Sequence, residues 1–218
     1  ASLRGFKITE YLKEAMATQE LVWRGFTAVF CKKPQHEQLV SIFERLLNPP
    51  GKGFFVYFSD DSCFSVRMDG EVHIFNMDIS SCDASHGPTM FEGLASLVPP
   101  RLRDDIRALI KQCEEPLTIY SRYDRTKRVT IRPNRPVLYS GSTVTTCLNN
   151  YANQRIFRQI VDNVNSGLPL TDSIMSAAAK AGYAVTLDKC HDGRHGTSVQ
   201  YSQSERRVCG TRSRILPE

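Results

Sequence analysis

The stretch from Phe54 to Gly87 holds four aspartates, Asp60, Asp61, Asp78 and Asp83, set among short apolar runs. Carboxylates brought close together repel, and one takes up a proton unless a cation lies between them. Hard oxygen ligands of this kind suit magnesium, with manganese as the alternative; magnesium is held by one or two carboxylates plus substrate phosphates. Two such ions about 3.5–4 Å apart form a clamp for in-line phosphoryl transfer. An Asp-Asp pair by itself is more often a solvated acidic turn, so the chemistry needs a second, independent motif.

The elements that would position these acids are legible. Phe54–Phe58 is wholly apolar and reads as a buried strand. Ser59-Asp60-Asp61 reads as its turn, and Ser62–Met68 as the returning strand. Asp69-Gly70 is a strong two-residue hairpin signal, because both positions of that turn need positive φ. Val72–Met77 follows as a third strand and ends on Asp78. Adjacent antiparallel strands lie about 4.8 Å apart, so the Asp60-Asp61 turn and Asp78 are expected at one edge of a small sheet.

The chain has 218 residues, 41% hydrophobic and 23% charged, an ordinary globular composition. Its net charge of +5 permits a polyanionic partner without demanding one. The 7 cysteines are scattered and never spaced Cys-x-x-Cys, which fits a reduced intracellular compartment. Neither a signal-peptide layout nor a membrane-length apolar stretch is visible.

Elsewhere, residues 1–19 carry a helical pattern with Thr9 or Ser2 as cap, Leu21–Cys31 reads as a strand, and Glu37–Leu47 as a second helix. Asn48–Gly53 is a breaker. Past the meander, Pro99-Pro100 splits a helical pattern in two, and a hairpin is expected around Asp124–Lys127. Arg122, Arg125, Lys127, Arg128 and Arg132 make that hairpin basic, either as a solvated face or as a grip on phosphates. Thr145–Val164 is a long helix and Asp172–Ala181 a shorter one, capped by Thr171 or Asp172 and stopped by Gly182. Tyr183–Leu187 and Thr197–Ser202 read as strands, Asp188-Lys189 as a turn, and the Arg-rich tail as loose. A zinc site from Cys190, His195 and Cys209 fits no trusted spacing.

The second motif is Ser140-Gly141 followed by Thr145 and Asn149, or SGxxxTxxxN. Four fixed positions at roughly one in twenty each match by accident in about one chain in a thousand of this length. Ser-Gly makes a flexible loop entering a helix, and Thr145 and Asn149 then share a face. Asn149 beside Asp83 would offer a donor and an acceptor to a 2′-hydroxyl, the group that marks RNA.

Together, Ser59-Asp60-Asp61, Asp78–Asp83 and Ser140–Asn149 resemble motifs C, A and B of viral RNA-dependent RNA polymerase palms. The usual order is A, B, C; the order C, A, B is that of permutotetraviruses and birnaviruses, and the chain is similar to a permuted palm of that kind. Ser59 departs from the family's usual Gly-Asp-Asp or Ala-Asp-Asn. The segment Ala179–Lys189 resembles motif D and Val199–Ser204 motif E. The permutation is sterically cheap, since the motif A strand neighbours the second strand of the motif C hairpin and a tight turn joins them.

The resemblance implies an α+β polymerase palm with a ferredoxin-like (RRM-like) antiparallel sheet packed on helices, permuted connectivity and partial fingers elements. Residues 1–53 would be an N-terminal helical segment related to fingers. Residues 54–204 would be the palm, with a fingers-like insertion at 88–138, and 205–218 a basic tail. Asp60, Asp61 and Asp78 would hold the metal ions, and Lys189 would be a general acid. Asp83, Ser140, Gly141, Thr145 and Asn149 would bind the nucleotide and its ribose. The implied partners are RNA template, nascent RNA and ribonucleoside triphosphates, in the host cytoplasm or the virion. The remaining fingers and thumb would lie on a longer chain. The rivals are a non-catalytic RNA-binding module, which needs exposed aromatics on the sheet face, and another palm enzyme such as a reverse transcriptase or nucleotide cyclase.

Overall fold

A wholly apolar strand and the two that follow it build the centre of the protein. The computed structural model describes residues 3–17, 20–32, 34–139, 141–190, 192–193, 196–201, 204–209 and 212–214. Helix α1 (Leu3–Ala17) leads into a hairpin of β1 (Leu21–Trp23) and β2 (Phe26–Phe30), and α2 (His36–Leu47) follows. The meander is β3 (Gly53–Phe58), β4 (Asp61–Met68) and β5 (Glu71–Ile79). Next come the short α3 (Cys82–Ser85), α4 (Pro88–Ser96), α5 (Arg103–Gln112) and a hairpin of β6 (Leu117–Tyr120) and β7 (Arg128–Ile131). The long α6 (Thr145–Asn165), α7 (Leu170–Ala181) and β8 (Val185–Lys189) complete the main body. Four further strands, β9 (Asp192–Gly193), β10 (Gly196–Tyr201), β11 (Ser204–Cys209) and β12 (Arg212–Arg214), form their own sheet.

The fold is α+β. The main sheet runs β1-β2-β3-β4-β5-β8 and is mixed. The strands β3, β4 and β5 pair antiparallel in that order, as expected, and β8 adds antiparallel to β5. The expectation of a wholly antiparallel sheet needs correction, because β2 joins β3 in parallel. A parallel neighbour requires a long crossover, and α2 supplies it. Residues 1–53 thus contribute two strands as well as two helices, and Ile8, Leu12, Met16, Phe26 and Ala28 share the main core.

The pleat sorts side chains onto two faces. Phe55, Tyr57, Phe64, Val66, Phe75, Met77 and Ile79 join the large core with Leu148, Ile156, Phe157 and Ile160 of α6. Phe54, Val56, Cys63 and Ile74 face the other way, against Ile42, Phe43 and Leu46 of α2. The Asp69-Gly70 turn has φ of 51° and 83°, the positive pair the sequence predicts.

Other expectations are corrected. Asp188 and Lys189 lie in β8 rather than in a turn, because backbone pairing to Asn76 and Phe75 extends that strand. The tail is not uniformly loose: Ser204–Cys209 and Arg212–Arg214 pair as strands. Thr9 caps nothing; inside α1 its hydroxyl donates to the carbonyls of Gly5 and Phe6. Pro169, not Thr171 or Asp172, precedes α7. Among the described residues, no helix is long and apolar enough to cross a membrane.

Candidate functional site

Register places the acids. Asp61 and Asp78 are direct partners across β4 and β5. In such antiparallel pairs the two Cβ atoms stand about 4.5–5.5 Å apart on one face. Their alternation matches Cys63 and Ile74, so both project on the α2 side of the sheet, where they are exposed beyond its apolar cover. Asp60 occupies the two-residue turn between β3 and β4, and its carbonyl accepts from the Ile79 N–H at 3.3 Å. The turn and the end of β5 are therefore stitched together.

Electrostatics record the crowding. Desolvation, then the charges of Asp60 and Asp78, raise the Asp61 carboxyl above its ordinary range. Desolvation and then Asp60 raise Asp78. The Cys82 thiol is pushed up to about 12 by burial first, then by Asp60, Asp83 and Asp78. Four carboxylates thus act on one small region at the rim of the sheet.

Helix α6 holds that rim from the other side. Asn149 Nδ2 donates to Asp83 Oδ1 at 3.0 Å and to Ser59 Oγ at 3.1 Å. The Ser59 N–H donates to Asn150 Oδ1 at 2.8 Å, and the Ser59 carbonyl accepts from Asn153 Nδ2 at 2.7 Å. Ser59 adopts φ 57°, a left-handed conformation that costs a non-glycine residue about 1–2 kcal/mol. Three hydrogen bonds from one helix offset that cost and fix the turn that carries Asp60. The hydroxyl by which Ser59 differs from glycine is one of the three groups used.

Behind Asn149 lies a buried relay. His86 Nε2 meets Asn149 Oδ1 at 2.8 Å, and His86 Nδ1 meets the Tyr183 hydroxyl at 2.7 Å. Neither His86, Tyr183, Asn150 nor Asn153 was indicated by the motifs. One signal was present: Asn149, Asn150 and Asn153 lie mid-helix, where asparagine is a poor helix former and needs another reason to be there.

The remaining candidates divide. Thr145 stands one turn before Asn149 and its hydroxyl donates to the Tyr139 carbonyl at 3.4 Å, closing the loop that enters α6. Gly141 in that loop is exposed with φ 84°. Ser140 lies outside the described residues, as does His195, and the side chains of Thr197–Ser202 and Cys209 are likewise not described. Lys189 is not brought to the acids. It pairs with Phe75, three residues below Asp78 on β5, or about 10 Å, and shares the opposite face. Arg122, Arg125, Lys127, Arg128 and Arg132 are exposed on or beside the β6–β7 hairpin.

Among the described residues, no three His, Cys, Asp or Glu side chains converge into a ready-made metal cluster. The paired carboxylates of Asp61 and Asp78 are hard oxygen donors of the type that magnesium takes, one or two at a time. Desolvation first, and neighbouring carboxylates second, raise both carboxyls above the ordinary range.

No protein-family model matches the sequence, and no curated protein matches it significantly.

Proposed function

We propose that the chain is the palm of a viral RNA-directed RNA polymerase with motif order C, A, B, acting in template-directed transfer of ribonucleotides to an RNA 3′-hydroxyl. One observation supports the reading above the rest: two separate motifs meet at one rim, with Asp61 opposite Asp78 and Asn149 bonded to Asp83. Asp78 and Asp61, with Asp60 from the turn, would hold magnesium, whose chemistry is to activate the attacking hydroxyl and neutralise the triphosphate. Asp83, held in place by the buried Asn149 amide, would read the ribose 2′-hydroxyl, with Thr145 ordering the loop before the helix. The basic β6–β7 hairpin, with Tyr120 and Tyr123 exposed at 56% and 96%, would contact RNA by charge and stacking. Lys189 is left without a role in this proposal.

A second reading, an RNA-binding module without catalysis, draws on the lack of a three-carboxylate cluster among the described residues. Against it, the aromatics of the central strands, Phe54, Phe55, Tyr57, Phe64 and Phe75, are buried and cannot stack on bases, which leaves Trp23 at the edge strand as the exposed ring of the main sheet among the described residues. Primer-template extension with magnesium separates the two. Asp78→Ala is expected to abolish incorporation while RNA binding persists; near-normal extension by this variant contradicts the metal assignment.

A further inference from the structure

We propose that His86 and Tyr183 are positioning residues that hold the Asn149 amide with Nδ2 toward Asp83 and Ser59, and so set the position of the half-buried Asp83 carboxylate at the ribose site. The inference about sugar selection rests on the polymerase reading; the inference about orientation does not.

The Asp83 carboxylate, an acceptor only, sets the direction of the whole chain of hydrogen bonds. An asparagine amide has two N–H donors and one carbonyl acceptor. Both donors of Asn149 are used, toward Asp83 Oδ1 and Ser59 Oγ. Its Oδ1 lies 2.8 Å from His86 Nε2, so that nitrogen must carry the proton and donate. In the neutral ring Nδ1 is then an acceptor, and the Tyr183 hydroxyl at 2.7 Å must donate to it. Rotating the amide by half a turn would set Oδ1 against the Asp83 carboxylate, which can only accept, and would require His86 to move its proton from Nε2 to Nδ1.

The surroundings favour this state. His86 and Asn149 are nearly inaccessible, at 1% and 2% exposure, so an unpaired polar atom in either would be costly. Phe91 and Tyr183 stack edge-on against the imidazole and fix its plane. Burial lowers the His86 pKa, and the Asn149 hydrogen bond and the Asp83 charge only partly oppose this. The titratable groups facing the ring are Asp83, Cys82 (its sulfur 3.9 Å from Nε2) and Tyr183. The relay therefore runs from Tyr183 at the mouth of β8, through His86 after α3, to Asn149 on α6 and Asp83, joining segments remote in sequence.

The first test needs no catalysis. Nitrogen-15 NMR of the histidine-labelled protein at neutral pH is expected to show His86 neutral with the proton on Nε2. A proton on Nδ1, or a charged ring, overturns the proposal. In Tyr183→Phe the Nδ1 resonance is expected to move toward that of an unbonded ring nitrogen; an unmoved resonance also overturns it. The second test uses single-nucleotide extension. His86→Gln retains an N–H donor near the Nε2 position, whereas His86→Leu does not. His86→Leu is expected to lower rNTP-over-dNTP discrimination about tenfold, the worth of one strong hydrogen bond, with His86→Gln within about twofold of wild type. Equal loss in both variants, or none in His86→Leu, removes the link to sugar selection. Wild-type protein that extends no primer while giving the expected spectrum counts against the polymerase reading alone.

Discussion

Asn149 Nδ2 donates to Asp83 Oδ1 over 3.0 Å, tying the middle of α6 to the short helix that follows β5. The same nitrogen holds Ser59 Oγ, so one amide joins three parts of the rim. Replacing it by alanine strands His86 Nε2–H and loosens the Ser59 turn. Asn149→Ala is expected to cost about 1–3 kcal/mol of stability, seen as a lower midpoint in denaturant unfolding. Discrimination against dNTPs is expected to weaken; an unchanged ratio counts against a ribose role.

Asp61 and Asp78 face each other as like charges, and both carboxyls are raised. Neutralising one relieves the repulsion. Both are exposed, so solvent screens the repulsion to about 0.2–1 kcal/mol, and Asp78→Asn is expected to raise Tm by about 0.5–3 °C while ending nucleotide incorporation. Magnesium is expected to raise the Tm of wild type more than that of the variant, because ligand binding to the native state alone stabilises it. Identical magnesium shifts in the two proteins would falsify the carboxylate site.

Gly53 begins β3 where there is no room for a side chain. A Cβ there would meet the Phe26 ring at 2.5 Å and the Ser65 carbonyl oxygen at 2.7 Å. Gly53→Ala is expected to destabilise by about 1–3 kcal/mol through overpacking. Unfolding by urea checks this, and an unaltered midpoint contradicts the packing.

The β6–β7 hairpin projects Arg125, Lys127 and Arg128 into solvent. Lys127 makes only a long 3.9 Å pair with Asp124. Substituting all three by alanine is expected to weaken RNA binding and flatten its salt dependence. The log-log slope should fall by about 0.7 for each phosphate on a single strand that the variant no longer neutralises. Binding titrations across a salt series measure it. A slope equal to wild type assigns the charge to a solvated face.

pH acts through two opposed groups. The His86 pKa is lowered in the folded protein, so below its ordinary 6.5 the unfolded chain binds more protons and stability falls as pH drops toward the native value. The raised Asp61 and Asp78 carboxyls work oppositely: as pH falls through their native values toward 3.8, the folded state takes up protons first and gains stability. Unfolding midpoints between pH 7 and the lower limit of solubility are expected to dip and then partly recover. His86→Gln is expected to remove the dip; a dip of equal depth in that variant assigns it elsewhere.

Much of the site was legible because it is local. The Asp69-Gly70 turn needs two positive φ angles, and that requirement is written in two adjacent residues. The apolar run Phe54–Phe58 and the strand patterns after it likewise announced the meander, and the split at Pro99-Pro100 separated α4 from α5. Lys189 misled because Asp-Lys has turn-like composition, whereas pairing with β5, an edge more than a hundred residues earlier, holds it extended. The parallel β2–β3 pair was hidden for a similar reason, since neither strand's own pattern names its neighbour.

The sequence by itself determined the central meander, its Asp69-Gly70 turn, the long helix α6 and the residue types that could bind a cation or a ribose, because each depends on preferences within a few residues. Only the tertiary structure decided that Asp61 opposes Asp78, that Lys189 lies away from them on the other face, and that His86 and Tyr183 stand behind Asn149. Those outcomes come from strand register and from pairing buried polar atoms contributed by distant segments. A buried donor must find its acceptor wherever the packed chain supplies one, and nothing in its immediate neighbours says where that is.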